Sequence, residues 1–215
     1  MKLSCLLEEM EYECVQGTLD REITTLVYDS RKVEKDSAFV CISGAVCDGH
    51  DFAQEVAKKG AAVLFVEKDV EVPEEVTVIR VQNTRLALAQ TSAAYFRHPA
   101  KELITIGITG TKGKTTATYM VRSILEASGF KTGLIGTIET IIGEEKIPSA
   151  NTTPESYVVQ ESFRKMADAG CKCVVMEVSS QGLMLHRVGG FIFDYGIFTN
   201  LEPDHIGPNE HKDLQ

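Results

Sequence analysis

The sequence predicts an α/β protein made of two units built on parallel sheets. Three observations carry the prediction. Strand-like and helix-like segments alternate along the chain, the pattern of strands joined by helical crossovers. Several strand-like segments, above all 61–66 and 173–178, are apolar on both faces, as strands covered by helices on both sides are. A Gly/Thr-rich turn at 107–116 lies between one such strand and a helix, which is the setting of a phosphate loop. The length of 215 residues suits one large or two small domains, and a hydrophobic content of 43% excludes wholesale disorder.

The elements follow in order. Residues 23–28 and 38–42 read as short strands around the polar segment 29–36. Residues 50–59 place apolar side chains at helical spacing, and Gly60 ends that helix. Residues 61–66 and 77–81 are strands. Asn83 caps a helix running to about Arg97, and Pro99 stops it. A first domain over 1–98 is thereby expected. The second, 99–215, opens with a strand at 103–108, then a helix from Lys114 to Ser128 closed by Gly129. Strands at 132–138, 173–178 and 193–199 follow, with a helix opened by Pro154 and ended near Ala169. Residues 201–215 read as a loop leading to another helix, so the sequence is expected to be a fragment of a longer protein.

Composition narrows the function. The formal net charge is −9, and both halves are acidic, which argues against a nucleic-acid partner. No apolar run is long enough to span a bilayer, and the N-terminus turns acidic too early for a signal peptide. The six cysteines (5, 14, 41, 47, 171 and 173) are too scattered for a disulfide scaffold and are read as reduced thiols of a cytoplasmic protein, with metal binding a minor alternative.

The strongest motif is Gly107-Ile108-Thr109-Gly110-Thr111-Lys112-Gly113-Lys114-Thr115-Thr116. Glycines let backbone N–H groups approach phosphate oxygens, and a helix N-terminus adds partial positive charge. Lys114 reaches the β- and γ-phosphates of a nucleotide, and the Thr115 hydroxyl ligates Mg²⁺. The general pattern has glycine five residues before Gly113, where this chain has Ile108. Glu177, at the end of an apolar strand, is the candidate carboxylate for the metal, directly or through water.

The segment from Thr109 to Thr116 resembles the phosphate loop of the Mur ligases, the ATP-dependent amide ligases of peptidoglycan synthesis, in which the glycine is offset in the same way. Further segments match in order: Asp29-Ser30-Arg31, Asn151-Thr152-Thr153-Pro154, Glu177-Val178-Ser179-Ser180-Gln181-Gly182-Leu183 with His186-Arg187, and Phe198-Thr199-Asn200-Leu201 with Asp204-His205. The resemblance is collinear over essentially the whole chain. It implies a small N-terminal uridine-binding α/β domain followed by part of a P-loop parallel-sheet ATPase domain, with the C-terminal domain absent.

By position the resemblance implies that Gly110, Thr111, Lys112, Gly113, Lys114, Thr115 and Thr116 bind ATP. It implies that Thr115 and Glu177 hold Mg²⁺ and that His205 sits by a second metal, with Lys114, Glu177 and His205 as the catalytic set. Tyr28 and Ser30 would contact uridine. Asn151, Thr152, Thr153, Ser179 and Arg187 would hold the muramoyl-dipeptide. The implied reaction adds a third residue, meso-diaminopimelate or L-lysine, to UDP-N-acetylmuramoyl-L-alanyl-D-glutamate through an acyl phosphate. A monomer is expected, and the 215 residues alone are expected not to turn over.

The chain departs from the family at Lys112 (commonly Asn), at Ala45-Val46 (often His-Gln) and at Leu185 (often Gln). Several candidates also have a plain structural reading. Ser30 can bond within its own turn, Thr153 can cap the helix that Pro154 opens, and Arg187 can be a surface charge. Other functional classes share part of the pattern. A P-loop kinase or GTPase has the Gly-Lys-Thr and the strand-end carboxylate without need of the segments at 151–154 and 177–187. Folylpolyglutamate and cyanophycin synthetases have no uridine to bind. A non-catalytic UDP-sugar or nucleotide-binding module is the non-enzyme alternative.

Overall fold

The computed structural model describes residues 1–44 and 47–202. The chain forms two compact units, Met1–Tyr95 and Phe96–Gln215.

The first unit begins with a short helix, α1 (Leu3–Leu7), and a strand, β1 (Glu13–Gln16). Then come β2 (Leu26–Val27), β3 (Ser37–Val40), α2 (Ala53–Lys59), β4 (Ala61–Val66), β5 (Thr77–Arg80) and α3 (Thr84–Tyr95). The sheet order is β1-β5-β4-β3-β2. Strands β2 to β5 run parallel, and β1 adds antiparallel to β5 with Cys14 opposite Ile79. Every residue of β3 and β4 is buried, as their two-faced apolar sequences require. On one face Phe39, Leu64 and Val66 pack against Val56 and Ala53 of α2. Helix α2 ends at Gly60, whose left-handed backbone (φ 109°) is the expected cap. The carbonyl of the Asn83 side chain accepts the Leu86 N–H at 2.9 Å, which starts α3 where the sequence predicts. That helix stops at Tyr95, because Arg97 and His98 both take positive φ before Pro99.

The second unit contains β6 (Ile104–Thr109), α4 (Lys114–Ala127), β7 (Thr132–Ile135), β8 (Glu139–Ile142), β9 (Glu145–Pro148), α5 (Ser156–Asp168), β10 (Cys173–Glu177), α6 (Ser180–Met184) and β11 (Tyr195–Phe198). The sheet order is β11-β6-β10-β7-β8-β9. The first four strands are parallel, and β8 and β9 extend the sheet as an antiparallel hairpin. Alternate residues of β10 face opposite layers. Val174 and Met176 join Val159, Phe163 and Met166 of α5, whereas Val175 joins Ile106 and Ile108 under Val121 and Leu125 of α4.

Two expectations are corrected, and a hairpin appears that the sequence reading did not anticipate. The strand expected over 132–138 ends at Ile135, and residues 136–138 leave the sheet. The β8–β9 hairpin turns at Gly143, whose φ is 59°. Thr153 does not cap α5; Glu155 does, accepting the Ser156 N–H. Among the described residues no helix is long and apolar enough to cross a membrane.

Candidate active site

The strands β6, β7 and β10 end level with one another. Glu177 is in register with Ile108, and Met176 with Ile135. The loops that leave them therefore share one rim of the sheet, the carboxyl ends of parallel strands where such folds hold ligands.

Gly110 departs from β6 with φ 133°, and a Cβ there would collide with the Thr199 hydroxyl and the Asn200 backbone. Gly113, at φ 82°, precedes the first residue of α4. Lys114 bends back over the loop: its ammonium group donates to the carbonyls of Gly110 (2.7 Å) and Thr111 (3.2 Å). Residues 199–202 strap the loop from outside. Asn200 accepts the Thr111 N–H through its carbonyl (3.0 Å) and the Lys112 N–H through its side chain (2.9 Å). The Thr199 hydroxyl donates to the Lys112 carbonyl at 2.8 Å. The Lys112 ammonium group pairs with the Glu202 carboxylate.

Glu177 is the hub behind this loop and is fully buried. Its Oε2 accepts the Thr115 hydroxyl at 2.8 Å and the Thr137 hydroxyl at 3.1 Å. Its Oε1 accepts the Thr137 N–H at 2.9 Å. A buried carboxylate requires such donors, because desolvation without them costs several kcal/mol or about that order. Gly136 fits here because a Cβ would overlap Oε1. Nearby, the Tyr119 phenol donates to Glu139 at 2.8 Å, and burial together with that carboxylate pushes its pKa up to about 12.

The Glu177 network continues into the segment 151–153. The Thr137 and Thr152 hydroxyls lie 3.0 Å apart. Thr153 is buried; its hydroxyl donates to the Glu177 carbonyl (3.1 Å) and accepts the Ser179 N–H (2.9 Å). Ser179 caps α6 through the Gly182 N–H at 3.0 Å. The Arg187 guanidinium donates to the Thr153 carbonyl at 3.1 Å and lies 3.7 Å from the Glu155 carboxylate. Arg187 is therefore packed into the loop rather than displayed as a surface charge.

Residues 108–215 match the model of the Mur ligase middle domain, and residues 22–96 match that of the Mur ligase family, catalytic domain. The chain belongs to the Mur ligase family. It is 50% identical over 206 residues to the UDP-N-acetylmuramoyl-L-alanyl-D-glutamate--2,6-diaminopimelate ligase of Clostridium perfringens, covering 96% of this chain and 43% of that protein. The ligase of the same name from Bacillus velezensis is 47% identical over 216 residues, covering 100% of this chain and 43% of that protein. A solved structure titled with the same enzyme name superposes with a TM-score of 0.81 at 22% identity, over 96% of this chain and 42% of that one. It shares the fold. The chain thus spans about 43% of the length of the curated relatives it matches.

In this Mur ligase chain the structure brings Thr115, Glu177, Thr152, Thr153, Ser179 and Arg187 into one hydrogen-bonded group. Gly110 to Lys114 form the adjoining loop, Thr116 lies in the first turn of α4, and Asn151 precedes Thr152 on an exposed bend. Tyr28 and Ser30 lie in the first unit, just after β2. The turn there is capped by Asp29, which accepts the Arg31 N–H at 3.0 Å, so Ser30 is not its cap. The Arg31 side-chain hydrogen bonds hold the Asp29 pKa down at about 2. His205 and the departure at 45–46 lie outside the described residues. Sequence reasoning missed Gly136 and Thr137, and it gave Asn200 no role although that residue lies in one of the matched segments. Thr137 was hidden by reading 132–138 as unbroken strand; the Gly-Thr pair itself, directly after an apolar run, was the available signal.

Proposed function

We propose that the protein carrying this chain is an ATP-dependent amide ligase that adds meso-diaminopimelate to UDP-N-acetylmuramoyl-L-alanyl-D-glutamate in the cytoplasmic stage of peptidoglycan synthesis. The chain supplies the uridine-binding domain, 1–98, and part of the ATPase domain, 99–215. The observation that carries the reading is the hydrogen-bonded link from the phosphate loop to the 151–153 segment through Glu177. It sets a nucleotide site and a second ligand site side by side, as phosphoryl transfer between two bound anions needs. The names of the relatives support diaminopimelate as the incoming residue.

The residues fit a magnesium ion. A hydroxyl has one proton and two acceptor lone pairs. Thr115 gives its proton to Glu177, which leaves its lone pairs for a cation and sets the buried carboxylate behind it. Thr115 would hold the ion, with Glu177 supplying negative charge from the second layer. The ion supplies charge stabilisation to the phosphates. Gly110, Thr111, Lys112 and Gly113 would cradle the ATP phosphates, and Lys114 would leave its two loop carbonyls for the β- and γ-phosphates. Thr152, Thr153, Ser179 and Arg187, with Asn151, would hold the muramoyl-dipeptide, while Tyr28 and Ser30 hold its uridine.

The chemistry proceeds by transfer of the γ-phosphoryl group to the substrate carboxylate with release of ADP. The amine of the diamino acid attacks the acyl phosphate, loses a proton and expels phosphate. Calorimetric titration of the chain with UDP-N-acetylmuramoyl-L-alanyl-D-glutamate, UMP and Mg-ATP tests the reading. Binding of the muramoyl-dipeptide that weakens in Ser30→Ala and Arg187→Ala is expected. Mg-ATP binding with no response to either uridine nucleotide would overturn the substrate and favour another ligase of the family or a P-loop kinase.

A further inference from the structure

We propose that Thr137 is a positioning residue that couples the phosphate loop to the 151–153 segment, so that a metal-bound nucleotide strengthens binding of the anionic second substrate. The inference rests on the function proposed above and goes beyond it in assigning a residue and a direction to the communication between the two sites.

The argument begins with proton counting. Thr137 offers its N–H to Glu177 Oε1 (2.9 Å) and its hydroxyl to Glu177 Oε2 (3.1 Å), so it grips both oxygens of the carboxylate. The same hydroxyl lies 3.0 Å from that of Thr152. Each hydroxyl has a single proton. While Glu177 carries its full negative charge, it draws the Thr137 proton, and Thr137 then accepts the proton of Thr152. The chain Thr152 to Thr137 to Glu177 is polarised in one direction, and each link reinforces the next. Thr152 is left presenting lone pairs, which suit a donor and repel an anion.

A cation beside Thr115 changes that balance. Thr115 is bonded to Glu177 Oε2, the oxygen that Thr137 also uses. Neutralising the field of the carboxylate weakens its hold on the Thr137 proton. The Thr137 hydroxyl then turns to Thr152, and the Thr152 proton is released outward as a donor for a carboxylate or phosphate. Backbone geometry keeps the rearrangement local. Thr153 remains tied to the Glu177 carbonyl (3.1 Å) and to the Ser179 N–H (2.9 Å), so the loop holds its place while a hydroxyl rotates.

The test is a linkage experiment by calorimetry on the chain. The affinity for UDP-N-acetylmuramoyl-L-alanyl-D-glutamate is measured with Mg-ADP and with metal-free ADP in chelator. The ratio is expected to be about fivefold or more in favour of Mg-ADP, the lower end of ordinary coupling between sites. In Thr137→Val, which keeps the N–H and removes the hydroxyl, the ratio falls to about one, and Thr137→Ser restores it. Thermal melts of each variant establish that it is folded, and Thr152→Val repeats the test from the other end of the link. A Thr137→Val chain that keeps the wild-type ratio overturns the inference, as does Thr137→Ser behaving like valine. Wild-type binding of both ligands with a ratio of one also overturns it and leaves the proposed function standing. Wild-type binding of neither ligand overturns both.

Discussion

Gly136 leaves no room for a side chain beside Glu177: a Cβ at that position would overlap Oε1 and lie 3.2 Å from the carboxyl carbon. The carboxylate is also fully buried and held by three donors. Its position is fixed as much by a missing side chain as by hydrogen bonds. Gly136→Ala is therefore expected to displace the carboxylate from Thr115. Overpacking of this kind costs about 1–3 kcal/mol. Mg-ATP affinity should fall about tenfold or more, with metal-free ATP affected less. Calorimetry with and without magnesium checks this, and equal affinity in wild type and variant would show that the carboxylate can shift without consequence.

Lys114 gives a prediction with the opposite balance of stability and binding. Its ammonium group donates to two loop carbonyls, at 2.7 and 3.2 Å, and spans the turn that the phosphates would enter. Lys114→Met removes these bonds, which at a half-buried position are worth about 1 kcal/mol. The melting temperature should fall by only a few degrees. Binding of ATP, in which the same group would meet β- and γ-phosphate charge, should fall by roughly tenfold or more. A variant that loses stability but keeps ATP affinity would assign Lys114 to the fold alone.

Which parts of this were legible in the sequence follows from the physics of each part. The glycine-rich loop at 107–116 was readable as a structural unit because strand, glycines, lysine and helix are contiguous, so local rules place them. An acidic residue closing an apolar strand is more often a solvated strand end or an ion-pair partner, so Glu177 was readable only through its pairing with the glycine-rich loop motif, whose Thr115 hydroxyl it accepts. Arg187 and Thr153 were not readable from spacing, since their partners, the Thr153 carbonyl and the Glu177 carbonyl, are set by tertiary packing. Asn200 holds Thr111 and Lys112 from almost ninety residues away along the chain, and no local pattern predicts such a bond. The same limit explains β1, which joins its sheet by pairing with β5, sixty-odd residues later.

The cysteines divide cleanly. Cys5, Cys14 and Cys47 are exposed, and Cys41, Cys171 and Cys173 are buried. Burial pushes the Cys41 thiol up to about 12, with the Asp48 charge adding to it, and burial raises Cys173 as well. A thiol reacts as its thiolate. Titration of the folded chain with a disulfide reagent at pH 8 should therefore show rapid reaction at Cys5, Cys14 and Cys47, and the other three should react only on unfolding. Mass spectrometry of the labelled peptides identifies the sites, and fast labelling at Cys41 would contradict its burial in the core just after β3.

Asp48 makes the acid stability of the first unit predictable. Its Oδ1 accepts the His50 N–H (3.0 Å) and lies 2.6 Å from His50 Nδ1, while Oδ2 accepts from Lys68 at 2.7 Å. His50 Nε2 accepts the Glu67 N–H at 2.9 Å, which ties the turn at 48–50 to the end of β4 and places the ring proton on Nδ1. Burial opposes the charge on Asp48, but the hydrogen bonds from Lys68 and His50 outweigh it and hold its pKa well below the ordinary 3.8. The sign follows from linkage. A carboxylate with a depressed folded-state pKa stabilises the fold fully above its unfolded value and loses that contribution as the pH falls through the folded value. Asp48→Asn should therefore cost about 1–2 kcal/mol at pH 7, allowing for the exposure of Lys68. The gap between wild type and variant should hold down to about pH 4 and close below it. Denaturant melts of both proteins from pH 7 to pH 2 measure that gap directly. A gap that stayed constant over the range would mean that the loop is held by shape and by His50 alone, without the charge on Asp48.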